Sequence, residues 1–349
     1  MSNNQKDADM ISLMEQPFSK SITIAEKCKR LLEVVNQEDT LAILIDADPD
    51  SISSALALKR FYWRKARKIT IYHINKIQRA DNLAFIKLLK IDLKHIRHLK
   101  AKEISKWALL DSQPHHHSQF EKQQFDIIID HHPLGGQLKA SFVDIKPNYG
   151  ANATILTEYL RSVKIKPSPE LATALFYGIK TDTNNFVRES LPNDINAFRY
   201  LYTLINMNII KKIESSEITK KTLVNYRMAM EHPVFYKDAV LIDMGQVDNP
   251  DTLVIIADFF MRLAEVSLSI ISGIYDKKLI IIFRSAAFKE DAGKIAEDLF
   301  LHLGGFAGGH RSAARAEIPL EKINQKDRGK LGAFVLKTFK IYCKNNRRV

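Results

Sequence analysis

Asp48, Asp50, Asp111, His131 and Asp182 are the residues of this sequence best suited to chemistry, because each follows, or lies near the end of, an apolar run. Three carboxylates fall within five residues at Asp46-Ala47-Asp48-Pro49-Asp50, where they repel one another unless cations neutralise them. That crowding is a metal-site signal, against a plainer reading in which Asp50 or Ser51 only caps the helix that follows. Further on, Phe125 to Leu134 delivers Asp130-His131-His132 to the end of an aliphatic run. A strand can end in polar residues merely because it has reached solvent, but the acidic clusters in like positions outweigh that explanation here. Parallel strands would bring their C-terminal ends to one rim, and the five residues with them. Such a set can hold two hard divalent ions with one carboxylate bridging, and its mix of oxygen and imidazole suits Mn²⁺ rather than structural zinc. Two metals about 3.5 to 4 Å apart generate hydroxide and stabilise the attacking and leaving oxygens of a phosphoryl displacement, with no side-chain nucleophile.

The elements that must position these residues alternate. Helical spacing over Ser21 to Val35 precedes the apolar strand Thr40 to Ile45 and the helix-like Ile52 to Tyr62. Strands follow at Lys68 to Ile74, Trp107 to Leu110 (ending in Asp111), Phe125 to Asp130 and Phe142 to Ile145. Gly150 to Thr154 opens a helix with small residues and backbone N–H groups suited to close packing or to an anion. Pro169 to Ile179 is helical and runs into Thr181-Asp182. This half therefore reads as an α/β, doubly wound parallel sheet. Asn206 to Glu231 looks like a connecting helical segment. Strands at Ala239 to Ile242, Val266 to Tyr275 and Leu279 to Phe283, with an apolar helix Thr252 to Leu263, make a smaller second α/β domain. It ends in a glycine-rich stretch, Gly304 to Gly309, followed by His310 and Arg311, whose charge suits phosphate. His115-His116-His117 reads as exposed loop, since consecutive residues rarely face one cation.

At 349 residues two cores are expected. With 46% hydrophobic and 26% charged residues the composition is that of an ordinary globular protein, and no apolar run is long enough for a membrane span. Two distant cysteines fit a reduced, cytoplasmic setting. The net charge of +12 favours polyanionic partners such as nucleotides or short nucleic acid, although solvated Lys-rich helix faces account for part of it. No Gly-x-Ser-x-Gly elbow, phosphate loop or dinucleotide fingerprint is present, which argues against a serine hydrolase, a nucleoside triphosphatase and a Rossmann dehydrogenase.

Taken together, Asp48-Pro49-Asp50 with Ser54, Asp111-Ser112-Gln113-Pro114, Asp130-His131-His132, Gly178 to Thr183, Phe283-Arg284-Ser285 and Gly308-Gly309-His310-Arg311 resemble the DHH phosphoesterases with a DHHA1 C-terminal domain. Among them the sequence is similar to the bacterial oligoribonucleases that also remove the 3′-phosphate of 3′-phosphoadenosine 5′-phosphate. The resemblance implies a DHH domain over 21–204, a helical linker over 205–234, a DHHA1 domain over 235–342 and an interdomain cleft, with a flexible tail at 1–20 and a basic tail at 343–349. It also implies two divalent ions, with Mn²⁺ the expected metal, one on Asp48 and Asp111, the other on Asp50, Asp111, His131 and Asp182. Asp130 would orient His131, His132 would contact the scissile phosphate or leaving group, and Arg284, Ser285, Gly308, Gly309, His310 and Arg311 would grip the terminal nucleotide. Expected partners are short single-stranded oligonucleotides or nucleotide phosphates and no membrane, with a homodimer left open. The sequence departs from the family at Leu44, where a histidine ligand usually stands, leaving Asp46 to substitute, and at Arg315, where many relatives have glycine. Two alternatives remain: a nucleotide-binding regulatory protein with impaired catalysis, or a linear or cyclic dinucleotide phosphodiesterase.

Overall fold

A computed structural model describes residues 22–187, 191–216, 220–286 and 290–345, so the expected N-terminal tail and the last four residues of the basic tail lie outside the described residues. The chain divides into two compact units, Met1–Glu217 and Ile218–Val349.

In the first unit six strands form one parallel sheet: β1 (Thr40–Ile45), β2 (Lys68–His73), β3 (Lys94–His95), β4 (Lys106–Leu110), β5 (Ile127–Asp130) and β6 (Phe142–Ile145). Their order is β3-β2-β1-β4-β5-β6. Every residue of β1 and β5 is buried, as expected of parallel strands covered on both faces. Along β1, Leu41, Ile43 and Ile45 enter one core with helices Pro49–Phe61, Asn152–Ser162 and Pro169–Asp182, while Ala42 and Leu44 enter a second with Tyr72, Leu109, Phe120, Phe125 and Ile128. The alternation of Cβ direction along a strand thus sends Leu44 into an apolar cluster. The two-residue β3 carries no apolar run and is invisible to pattern reading.

Helices Pro49–Phe61 and Pro169–Asp182 pack closely at Gly178, where a Cβ would meet Ser53 Oγ at 2.5 Å and Asp50 Cα and Pro49 O at 3.1 Å. Gly178→Ala gains about 1 kcal/mol of helix propensity. Wedging the two helices apart costs about 1–3 kcal/mol, so the variant is expected to melt below the wild type. It should also weaken divalent-cation binding that needs both Asp50 and Asp182, because these two carboxylates ride on the two helices. Thermal unfolding and metal titration check this, and an unchanged melting temperature would show that the contact yields freely.

In the second unit the order is β11-β12-β10-β9-β8-β7, built from β7 (Val234–Tyr236), β8 (Ala239–Gln246), β9 (Leu268–Tyr275), β10 (Lys278–Ser285), β11 (Phe306–Gly309) and β12 (Ala313–Pro319). Only β8 and β9 run parallel, joined across helix Asp251–Phe260; the other pairs are antiparallel. Helices Ala292–Phe300 and Leu331–Asn345 cover one face and Asp251–Phe260 the other. The stretch read as one linker divides: helix Met207–Glu214 buries Ile210 and Ile213 in the first unit, and helix Lys220–Glu231 buries Ala229 in the second.

Candidate metal centre

The strand order of the first unit reverses between β1 and β4, the place where open α/β sheets open a crevice beyond their C-terminal ends. Asp48 and Asp50 lie just beyond β1, Asp111 just beyond β4, and β5 at its side ends in Asp130 and leads into His131 and His132. Asp182 arrives from elsewhere. Its helix runs three residues further than the apolar pattern, to Asp182 itself, which sets a carboxylate at the helix end where the dipole disfavours one.

His131 Nε2 stands 3.1 Å from Asp182 Oδ2, 3.2 Å from Asp111 Oδ1 and 3.9 Å from Asp50 Oδ2. Across the ring, His131 Nδ1 lies 3.0 Å from the carbonyl of Tyr149. A carbonyl only accepts, so Nδ1 carries a proton and Nε2 is the atom offered to the carboxylates. Asp50 is almost fully buried, and its two oxygens accept from the backbone N–H groups of Asn152 (2.7 Å) and Ala153 (2.8 Å). Of the two uses read for the Gly150 to Thr154 turn, close packing or an anion, the N–H groups of Asn152 and Ala153 serve an anion, the carboxylate of Asp50. Asp48, half-buried, caps helix Pro49–Phe61 through Ser51 N at 2.8 Å, so the cap is Asp48 rather than Asp50 or Ser51. Asp111 has a left-handed backbone, φ 57°, a conformation that an aspartate tolerates better than most residues.

Burial, and then the neighbouring Asp182, pushes the Asp48 carboxyl up to about 6. Asp50 and Asp111 are raised well above the usual carboxylate range, first by burial and then by Asp182 and by Asp50 respectively. His131 is raised as well: burial opposes its charge, but Asp111 and Asp182 beside it prevail. Carboxylates and an imidazole raised together mark a site short of positive charge. A shared proton supplies one charge and a divalent cation two. Asp111 Oδ1 is shielded from solvent and makes no hydrogen bond of sound geometry, which leaves it available for ligation. Asp50, His131 and Asp182 offer ligand atoms within 4.8 Å of one another, as do Asp111, His131 and His132. These residues fit a divalent cation.

Residues 40–179 match the model described as the DHH family, N-terminal domain. The first unit is a DHH-family domain. The chain is 34% identical over 320 residues to the uncharacterized protein MJ1633 of Methanocaldococcus jannaschii, a match covering 90% of this chain and 66% of that protein, slightly under two thirds of its length. Among solved structures, an exopolyphosphatase-related protein from Bacteroides fragilis superposes with a TM-score of 0.74 at 17% identity, covering 94% of this chain and 100% of the other. RecJ from Thermus thermophilus, in complex with Mn²⁺, superposes with a TM-score of 0.54 at 13% identity, covering 90% of this chain and 55% of RecJ. Both show the same fold as this chain.

Within the DHH domain, Asp130 serves a different imidazole from the one expected. Its Oδ1 accepts from the backbone N–H of His131 (2.8 Å) and from Nδ1 of His132 (2.7 Å), so its ring partner is His132, and the ring of His131 is oriented by the Tyr149 carbonyl. Burial would raise the Asp130 carboxyl, but the hydrogen bond and charge of His132, with Gln113, hold it down at about 2. Gln113, fully buried, ties this corner together: its amide donates to Asp130 Oδ2 (2.8 Å) and the Pro133 carbonyl (3.0 Å) and accepts from Gly135 N (3.1 Å). His116, read from the sequence as exposed loop, packs its ring against His132 with centroids 5.4 Å apart. Asp46 is exposed and acts on Asp48 through its charge, and Leu44 is wholly buried in its apolar cluster.

The remaining candidate residues belong to the second unit. Arg284 pairs with Asp258 (Nε to Oδ1, 2.6 Å), and the Ser285 hydroxyl donates to the Glu290 carbonyl. Gly308 and Gly309 are not a loose loop but the end of β11, paired with Arg315 and Ala314 of β12. A Cβ at Gly309 would meet Ala313 O at 2.5 Å, so the close approach of two strands requires glycine there. His310 and Arg311 are exposed at the turn, with their carbonyls accepting from Gly293 N and Ala292 N. Arg315 pairs with Glu317 at 2.7 Å.

Proposed function

We propose that the protein is a metal-dependent phosphoesterase that hydrolyses short oligonucleotides or nucleotide phosphates. The observation that carries this reading is the convergence of Asp50, Asp111, Asp182 and His131 Nε2 at the switch point of a DHH domain, with carboxylates raised by burial and by one another. Two divalent ions, Mn²⁺ by the donor set, would be held by Asp48 and Asp111 and by Asp50, Asp111, His131 and Asp182; when bound they supply the water-derived nucleophile and neutralise the phosphoryl charge. Asp50 orients its site through the two N–H groups that fix both its oxygens. Asp130, anionic at working pH, holds Nδ1–H of His132, so that His132 Nε2 gives a proton to the leaving oxygen while Asp130 stabilises the imidazolium. In this reading the second unit is a DHHA1-type module in which Arg284, Ser285 and the Gly308-Gly309-His310-Arg311 segment recognise the nucleotide, and the net charge of +12 favours its polyanionic ligand.

Purified full-length protein with Mn²⁺, offered dinucleotides and 3′-phosphoadenosine 5′-phosphate, is expected to release mononucleotide or phosphate and to stop when the metal is chelated. Absence of turnover on both, with bound metal verified, would overturn the proposal.

A further inference from the structure

Three imidazoles meet at the His132 corner, and their hydrogen bonds fix three proton positions. His131 and His132 each hold a proton on Nδ1, toward the Tyr149 carbonyl and the Asp130 carboxylate. His116 is the reverse. Its Nδ1 lies 3.1 Å from the backbone N–H of Gln113, a group that only donates, and 3.1 Å from the Ser112 hydroxyl. Nδ1 of His116 must therefore be the acceptor, and the neutral ring carries its proton on Nε2. A proton added at Nδ1 would confront the Gln113 N–H; consistently, burial, with His132 and His115 against Asp130, holds the imidazole down to about 4. The residue remains exposed, and its ring stands edge-to-face with His132. His116, Asp130 and His132 each present a polar atom within 4.8 Å of the others.

We infer that His116 is a phosphate-binding residue of this site, its Nε2–H a fixed neutral donor to a non-bridging phosphoryl oxygen beside His132. The inference rests on the phosphoesterase reading for its substrate but not for its geometry. A neutral donor suits the place. It binds phosphate without adding a cation that would compete with His132 for Asp130, and its orientation is set before substrate arrives. The sequence hides it, because nothing in the His115-His116-His117 triplet marks the ring that Ser112 and Gln113 hold beside His132.

Two substitutions separate phosphate binding from a merely structural part. His116→Asn places an amide oxygen where Nδ1 accepts from Gln113 but removes the distal N–H; His116→Gln carries an amide N–H to the reach of Nε2 and gives up the local acceptor. Binding of inorganic phosphate to the Mn²⁺-loaded full chain is read by calorimetry, with turnover of bis-p-nitrophenyl phosphate and the melting temperature alongside. His116→Asn is expected to melt like the wild type yet bind phosphate roughly ten- to a hundredfold more weakly, the worth of a hydrogen bond to a charged group. His116→Gln should stay within about threefold of the wild type. Phosphate affinity unchanged in His116→Asn, or lost equally in both variants together with stability, overturns the inference. If the wild type turns over no phosphoester while His116→Asn still loses phosphate, the phosphoesterase reading fails and this one stands.

Discussion

Asp111→Asn is expected to cut Mn²⁺-dependent hydrolysis by on the order of a thousandfold or more, and at the same time to raise the melting temperature of the metal-free protein. Asp111 is buried with Asp50 near it, and Asp50 raises the Asp111 carboxyl on top of the cost of burial. An asparagine has the same shape, tolerates the left-handed φ of 57° at this position, and removes one of the buried charges. Replacing one of several carboxylates crowded in a buried site by a neutral isostere stabilises by roughly 1–3 kcal/mol. The amide oxygen can still face His131 Nε2, so local packing survives. What disappears is the anionic oxygen that the cation needs, and with it the rate. Melting curves in chelator and turnover in Mn²⁺ read the two effects separately. A metal-free variant that melts below the wild type, or one that keeps a tenth of its activity, would show that Asp111 is there for structure.

The division between what the sequence discloses and what it withholds follows the range of the interactions. β1 and β5 are legible because burial on both faces demands unbroken apolar runs, and the carboxylates after β1 and β4 are legible because a parallel sheet has one productive rim. The DHH motifs add the order of those residues. The partner of the Gly150 to Thr154 turn is not legible: it is Asp50, a hundred residues away, and a free N–H in the sequence looks the same whether a ligand or a side chain will fill it. Asp130 was expected to steer the ring of His131, yet the backbone turns the next residue's ring toward it instead, a choice made by χ angles that spacing does not encode. The helical stretch after Asn206 splits between two cores without any change of composition to announce it. In the second unit, the glycines that suggested a ligand loop owe at least Gly309 to strand packing.

The stabilisation that Mn²⁺ gives is expected to depend steeply on pH, and its sign follows from the raised carboxyls. In the metal-free fold Asp48 titrates at about 6 against an ordinary value of 3.8, with Asp50 and Asp111 displaced in the same direction. Between those values the folded chain holds protons that the unfolded chain has released, so the contribution of these groups to stability is fully present below about pH 4 and is lost as pH rises through 6. Asp130 works the other way, since its carboxyl is held down at about 2: its contribution is present above pH 4 and is lost only as pH falls toward 2. A cation binds the deprotonated ligands, so its affinity climbs over the same interval in which the metal-free site becomes costly. At a hundred times its dissociation constant a ligand stabilises by about 2.7 kcal/mol, which for a unit of this size corresponds to roughly 5–10 °C. Mn²⁺ at one fixed concentration should therefore raise the melting temperature by that amount at pH 7.5 and by little at pH 5. An equal rise at both, or a larger one at pH 5, would mean that the cation does not sit on these carboxylates. The comparison bears on the site because Asp48, Asp50 and Asp111, which meet there, all carry large upward carboxyl shifts.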